Sequence, residues 1–157
     1  SGVHVPLVVR IHENFKKLVD HEKGTRTDGF VSFIDFGPTI LNLAGIDLPI
    51  FMDGKPFLGE GVKSNDLSKR DEVYCYADRF DEKYDLVRTV RKGKWKYIRN
   101  YHGFYPDGLQ NNYRYRMLAY QEWRELFNAG KLNDKQSQFF RPRPAEQLFD
   151  LSVDPHG

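Results

Sequence analysis

Two strand-like runs, Leu86 to Arg91 and Lys94 to Asn100, stand on either side of the dipeptide Lys92-Gly93. A glycine-bearing break of that length between two such runs reads as the turn of a β-hairpin, which fixes antiparallel pairing there. An isolated hairpin is marginal in water, so the chain must supply further strands or a covering helix. Glu72 to Ala77 alternates as a strand upstream, and Glu146 to Leu151 reads as a last edge strand downstream. Between them Tyr101 to Tyr113 is a loop of Gly, Pro, Asp and Asn. Arg116 to Ala129 is expected as a helix with Tyr120, Trp123 and Phe127 on one face and Gly130 ending it. Asn133 caps a further short helix to Phe140, and Arg141-Pro142-Arg143-Pro144 breaks it.

The first half has a different character. Val5 to Ile11 is a short apolar run that reads as a strand buried on both faces, with Pro6 near its start. His12 to Asp28 is charged and turn-rich, a surface excursion. Phe30 to Ile46 carries the clearest helix. Ser32 and Asp35 form a short-armed capping box, and Phe33, Phe36, Ile40, Leu43 and Ala44 recur at helical spacing. Pro38 should bend this helix unless its first residues form a looser turn, and Gly45 supplies a left-handed stop. From Asp47 to Lys69 Gly, Pro, Asp and Ser accumulate without a period, the best boundary in the chain.

Composition narrows the function classes. The chain has 157 residues, enough for one domain with a substantial core. Aromatic residues at 15% argue against disorder. No apolar run approaches the length of a membrane-spanning helix. A single cysteine excludes an internal disulfide and a cysteine-only zinc site. With 24 basic against 22 acidic residues, the chain is too balanced for a dedicated nucleic-acid binder. The sequence opens into a strand-like run without initiator Met or signal and closes in a turn-like phrase, so both ends look cut from something longer.

Few residues carry a recognisable chemical pattern. The histidines His4, His12, His21, His102 and His156 show no ligand spacing. His4, at the end of a predicted buried strand, either faces a cleft or satisfies a core partner. Asp78, Asp81 and Asp85 read as scattered, solvated carboxylates. From Arg88 to Arg124, Arg91, Lys92, Lys94, Lys96, Arg99, Arg114 and Arg116 interleave with Tyr97, Tyr101, Tyr105, Tyr113 and Tyr115. Such a stretch either contacts sulfate, phosphate or sugar, or is a solvated hairpin whose Trp95 and Tyr97 face the core.

Several phrases together resemble one family. Gly2-Val3-His4-Val5-Pro6-Leu7-Val8-Val9-Arg10 resembles the strand that follows the active-site lysine segment of sulfatases. Val31-Ser32-Phe33-Ile34-Asp35-Phe36-Gly37-Pro38-Thr39-Ile40-Leu41-Asn42-Leu43-Ala44-Gly45 is similar to the sulfatase helix Val-Ser-x-x-Asp-x-x-Pro-Thr-x-x-x-Leu-Ala-Gly. Asp53-Gly54-Lys55-Pro56-Phe57-Leu58 is similar to the Asp-Gly-x-x-Leu phrase after it. Val90 to Ile98 resembles the C-terminal hairpin, and Glu146 to Pro155 the closing phrase. The five occur in the family's order.

The resemblance implies a type I, formylglycine-dependent sulfatase. Its fold class is α/β, here the C-terminal fragment of an alkaline-phosphatase-like fold that ends in an α+β subdomain with a small antiparallel sheet. Residues 1–50 would be the last strand and helix of the core, 51–71 a linker, and 72–157 the C-terminal subdomain. The parent would hydrolyse sulfate esters of a sulfated carbohydrate in the periplasm or outside the cell, using calcium and formylglycine. This fragment would contain no catalytic residue and no metal ligand, would bind neither cofactor, and would be inactive without its N-terminal sulfatase core. Cys75-Tyr76-Ala77-Asp78-Arg79 fits only a loose form of the formylglycine signal, because Ala77 and Asp78 replace the strict Pro and Ser or Thr. By position, the resemblance offers His4, Asp78, Arg79 and His102 as substrate-binding residues. The competing readings are a free-standing anion- or glycan-binding module, and a phosphodiesterase or phosphonate hydrolase of the same superfamily.

Overall fold

The computed structural model describes residues 5–80 and 82–155. The chain divides into two compact units, Ser1–Val73 and Tyr74–Gly157.

In the first unit, residues 5–12 run without regular structure, and Val5, Leu7, Val8 and Val9 are exposed. The expected buried strand is not formed. A strand needs neighbours to take its N–H and C=O groups, and among the described residues no backbone hydrogen bond ties this run to another segment. A short 3-10 helix, Glu13–Leu18, follows on the surface. The His12 imidazole caps it by accepting from the Asn14 N–H at 3.2 Å.

The helix expected over Phe30 to Ile46 is shorter and has a looser start. Phe33–Asp35 is a 3-10 turn, and α1 spans Phe36–Leu43. Pro38 accounts for this, since its missing N–H is harmless only in the first turn of an α-helix, where donors have no intrahelical partner. Asp35 accepts the Ser32 N–H at 2.9 Å, so the capping box is present. At the other end Gly45 has φ 70°, and the Ile46 N–H donates to the Leu41 carbonyl at 2.9 Å, a Schellman closure. The expected apolar stripe does not face a core, because Phe33 and Ile40 are exposed while Pro38 and Thr39 are buried.

The polar motif residues, rather than that stripe, hold the unit together. Asp35 Oδ1 accepts the Lys55 N–H at 2.9 Å. Thr39 Oγ1 donates to the Asp35 carbonyl at 2.6 Å and accepts from the Phe57 N–H at 3.0 Å. Asn42 Nδ2 donates to the carbonyls of Leu58 and Glu60, each at 3.1 Å. Phe57 is buried, its ring 5.4 Å from that of Phe36. Gly54 passes so close that a Cβ there would lie 2.0 Å from the Ile34 carbonyl oxygen. Residues 51–71 thereby lie along α1 and carry α2, Ser64–Ser68, with Leu67 buried.

The second unit is a small antiparallel sheet with helices. The strands are β1 Glu72–Phe80, β2 Lys83–Lys92, β3 Trp95–Asn100 and β4 Glu146–Asp150, in the order β1-β2-β3-β4. Lys92 pairs with Trp95, so the hairpin turn is Gly93-Lys94, one residue later than expected, with Gly93 at φ 53°. Beyond the sheet, Arg114–Arg116 is a 3-10 turn and α3 spans Leu118–Asn128. Asn133 caps α4, Asp134–Ser137, in a capping box with Gln136, and a 3-10 turn Gln138–Phe140 completes it. The aromatic face of α3 meets that turn, with Trp123 stacked on Phe139 and Phe127 on Phe140, each at 4.5 Å.

Chain length allowed a larger core than the fold contains. Among the described residues the buried hydrophobic side chains are Phe57, Leu67 and Tyr115. Most of the aromatic residues instead stack in pairs or stand on open faces.

Replacing Asp35 with Ala strands two backbone donors. It should lower the stability of the first unit by about 1–3 kcal/mol, read as a lower urea midpoint of the helical circular-dichroism signal. Gly54→Ala should cost more than Asp35→Ala, because its Cβ meets backbone rather than a movable side chain.

Candidate functional site

β2 opens with Lys83-Tyr84-Asp85, and alternation sends Lys83 and Asp85 inward and Tyr84 outward. The inward pair joins two residues from distant loops. Lys83 Nζ lies 3.1 Å from Asp107 Oδ1 and 3.4 Å from Asp85 Oδ2. Arg143 donates through Nη2 to Asp85 Oδ1 at 2.6 Å, and through Nη1 to Asp85 Oδ2 and Asp107 Oδ1, each at 3.3 Å. The Lys83, Asp85 and Arg143 side chains are only 5%, 12% and 13% exposed. Burial pushes the Asp85 carboxyl up, but the Arg143 hydrogen bond and the Lys83 and Arg143 charges outweigh it and hold the group below its ordinary value.

Asp85 is therefore not one of a set of solvated carboxylates. Its partner Arg143 comes from a phrase expected only to break a helix. Two charges made a site that neither marks alone.

This buried cluster fixes the loop after β3. The Arg143 N–H donates to the Gly103 carbonyl at 2.6 Å. A Cβ on Gly103 would lie 2.6 Å from the Arg143 carbonyl, so only glycine admits this approach. Arg114 Nη1 donates to the Asp107 carbonyl at 2.6 Å, and the Tyr105 N–H to the His102 carbonyl at 3.0 Å. Buried Asn100 donates through Nδ2 to the Pro144 carbonyl at 2.8 Å and to Gln147 Oε1 at 3.0 Å. His102 thus stands on an anchored loop, beside the rings of Tyr84, Phe104 and Tyr105. Its Nδ1 is buried and has no hydrogen-bond partner among the described residues.

The outer sheet face carries a second concave feature, a groove of about 480 Å³ lined by Tyr74, Tyr76, Asp78, Arg88, Val90 and Tyr97, with Cys75 and Thr89. Asp78 pairs with Arg88 at 2.5 Å, both side chains about half exposed, and Arg88 lies over the Tyr76 ring at 5.6 Å. Arg79, next along β1, is exposed and by strand alternation projects to the opposite face from Asp78. His4 lies outside the described residues.

Asp78 and His102 are not gathered into one pocket. Their respective neighbours Arg88 and Tyr84 share the outer face of β2 but stand four residues apart, about 13 Å along the strand. Two cations of the basic-aromatic stretch are held in ion pairs. Lys94 pairs with Asp150 at 2.9 Å, and Arg99 with Glu146. The Asp150 carboxyl is lowered to about 2 by the Ser152 hydroxyl, then Lys94, then the Ser152 N–H. Trp95 does not face the core; opposite Lys92 it shares the outer face with Tyr97 and Arg99 and is exposed.

Among the described residues no group of His, Cys, Asp or Glu side chains is arranged to hold a metal ion, and Cys75 is a free thiol within β1. These residues do not fit the calcium and formylglycine of the resemblance. No helix among the described residues is long and apolar enough to cross a membrane.

The chain thus combines a four-stranded antiparallel sheet with short helices and, before it in sequence, the Ser-Asp-Thr helix latched to its Asp-Gly phrase. Residues 1–110 match the family described as N-sulphoglucosamine sulphohydrolase, C-terminal, and the chain belongs to that family. It is similar to two ulvan-active sulfatases of Formosa agariphila. One is 38% identical over 159 residues, covering 99% of this chain and 24% of that protein. The other is 24% identical over 163 residues, covering 98% of this chain and 28% of that protein. The chain thus spans about a quarter of the length of the curated relatives it matches.

Arg143→Ala leaves Asp85 buried without its main partner and should cost about 3–5 kcal/mol at neutral pH. Because the folded carboxyl lies below its unfolded value of about 3.9, this stabilisation is complete above that pH and is lost as pH falls through the folded value. Urea midpoints at pH 7 and pH 3 should therefore separate wild type from Arg143→Ala widely at the first pH and less at the second.

Proposed function

We propose that this chain is the C-terminal part of a sulfatase that hydrolyses sulfate esters of a sulfated glycan. The observation that carries the reading is the 38% identity across 99% of the chain to a protein described as an ulvan-active sulfatase. Residues 1–50 would belong to the catalytic α/β core, 51–71 would join the units, and 72–157 would form the subdomain that borders the substrate. The N-terminal core of the parent would supply the formylglycine nucleophile, the calcium ligands and the lysine. The chain alone would hydrolyse nothing, and the parent would act in the periplasm or outside the cell.

Within this reading the chain's own residues position substrate. His102 stands on a loop held by the Arg143 backbone and the buried charge cluster. A side chain fixed in this way loses little rotamer freedom when it meets a ligand. Arg79 offers a guanidinium suited to a tetrahedral anion. Asp78 would orient Arg88 beside the groove. His4 would serve at the end of the first apolar run.

The test is sulfate release by the longer parent, calcium-loaded and formylglycine-bearing, from sulfated mono- and oligosaccharides. Release by the parent and none by the 157-residue chain is the expected result. In the parent, Arg79→Ala and His102→Ala should each raise KM about tenfold with a smaller change in kcat, as expected for lost substrate contacts. No sulfate release by the loaded parent, on any of these esters, would end the sulfatase reading.

A further inference from the structure

Four rings gather where β2 begins. The His102 ring lies 5.4 Å from Tyr84, 5.6 Å from Phe104 and 6.2 Å from Tyr105, and the Phe104 and Tyr105 centroids are 4.4 Å apart. Despite these contacts, Phe104, Tyr84 and Tyr105 remain 64%, 55% and 42% exposed. Exposed aromatic surface scattered singly needs no explanation, but a contiguous patch marks an interaction site.

The patch is ordered in advance. The loop that carries it is tied by the Arg143 N–H to the Gly103 carbonyl, by Tyr105 to His102 and by Arg114 to Asp107. The charges beneath it balance, since Lys83 and Arg143 face Asp85 and Asp107. The shelf therefore offers flat apolar faces edged by phenol and imidazole groups, without a net charge to draw an anion. Aromatic faces with polar edges suit a ligand that has an apolar face and a hydrogen-bonding rim. A sugar ring, with its C–H face and hydroxyl edge, has that form.

We propose that the Tyr84–His102–Phe104–Tyr105 shelf binds an uncharged sugar ring, one that neighbours the sulfated residue in an oligosaccharide. The proposal rests on the glycan reading above and extends it: recognition reaches beyond a single sulfated monosaccharide.

The experiment is an NMR titration of the 157-residue chain with ulvan oligosaccharides, with the same oligosaccharides after chemical desulfation, and with sodium sulfate. Both oligosaccharide preparations should shift the His102, Phe104 and Tyr105 signals, and sulfate should not. Phe104→Ala should weaken both titrations about tenfold, about 1.4 kcal/mol, and Phe104→Trp should restore them. Phe33→Ala, which removes a still more open ring from the first unit, should leave them unchanged. Three outcomes overturn the proposal: no shift with either oligosaccharide up to its solubility, shifts confined to the Tyr74–Tyr97 groove, or shifts produced by sulfate alone. A parent that releases no sulfate while the shelf still binds desulfated sugar would defeat the sulfatase reading and leave the shelf standing.

Discussion

The Asp85–Arg143 ion pair is the interaction on which the second unit depends. Taking a carboxylate and a guanidinium out of water is costly, and the cost is offset only when geometry is good and the remaining donors and acceptors are engaged. Here Lys83 and Asp107 engage the carboxylate and the terminal guanidinium nitrogens, while Arg143 Nε is buried without a hydrogen-bond partner among the described residues. The two partners of the pair lie 58 residues apart in sequence. The pair therefore joins the start of β2 to the segment that leads into β4, and the loop between them is bound at both ends. With few buried apolar side chains available, a polar cross-link carries what a larger core would otherwise do.

The first unit uses the same logic around one carboxylate, Asp35, which accepts backbone amides and lies 3.8 Å from the Arg70 guanidinium. Ser32, Asp35 and Thr39 fall on the turn of a helix start: the Ser32 N–H donates to Asp35, and the Asp35 carboxylate and Thr39 hydroxyl accept the amides of Lys55 and Phe57. The spacing Ser-x-x-Asp-x-x-Pro-Thr thus has a physical meaning. Asp35 closes the 3-10 turn and receives the returning chain, Pro38 fits where a helix lacks donors, and Thr39 accepts the next amide. Gly54 is required where that returning chain crosses Ile34 at backbone contact. The family phrase and the Asp-Gly phrase after it are two halves of one latch.

Local signals were legible in the sequence where they are sufficient in themselves. The hairpin, the edge strand, the Asn133 cap, the left-handed stop at Gly45 and the helix end at Gly130 follow from short-range rules and lie within a residue or two of where those rules put them. The apolar run at Val5–Ile11 was misread as a formed strand, since β structure needs a partner that the described residues do not provide. The same blindness to distant partners hid the candidate site. Alone in the sequence Asp85 reads as a surface carboxylate, since only the fold brings Arg143 beside it; of the two faces open to Trp95, strand register rather than residue type selects the exposed one. The family pattern offers His102 by position alone. Its neighbours Tyr84 and Phe104 carried no spacing signal, because they approach it through the fold.

The two sides of the sheet differ in character. The inner side binds charges to charges and holds the loop, and the outer side and its end expose aromatic rings and half-solvated ion pairs. The most direct measurement of this arrangement is amide hydrogen exchange in wild type and Asp85→Asn. If the buried pair sets the loop, the Tyr105 and Gly108 amides, bonded to the His102 and Phe139 carbonyls, should lose protection at least tenfold, while the β3 amides paired with β2 keep theirs. Equal protection of the loop in both proteins would contradict the account.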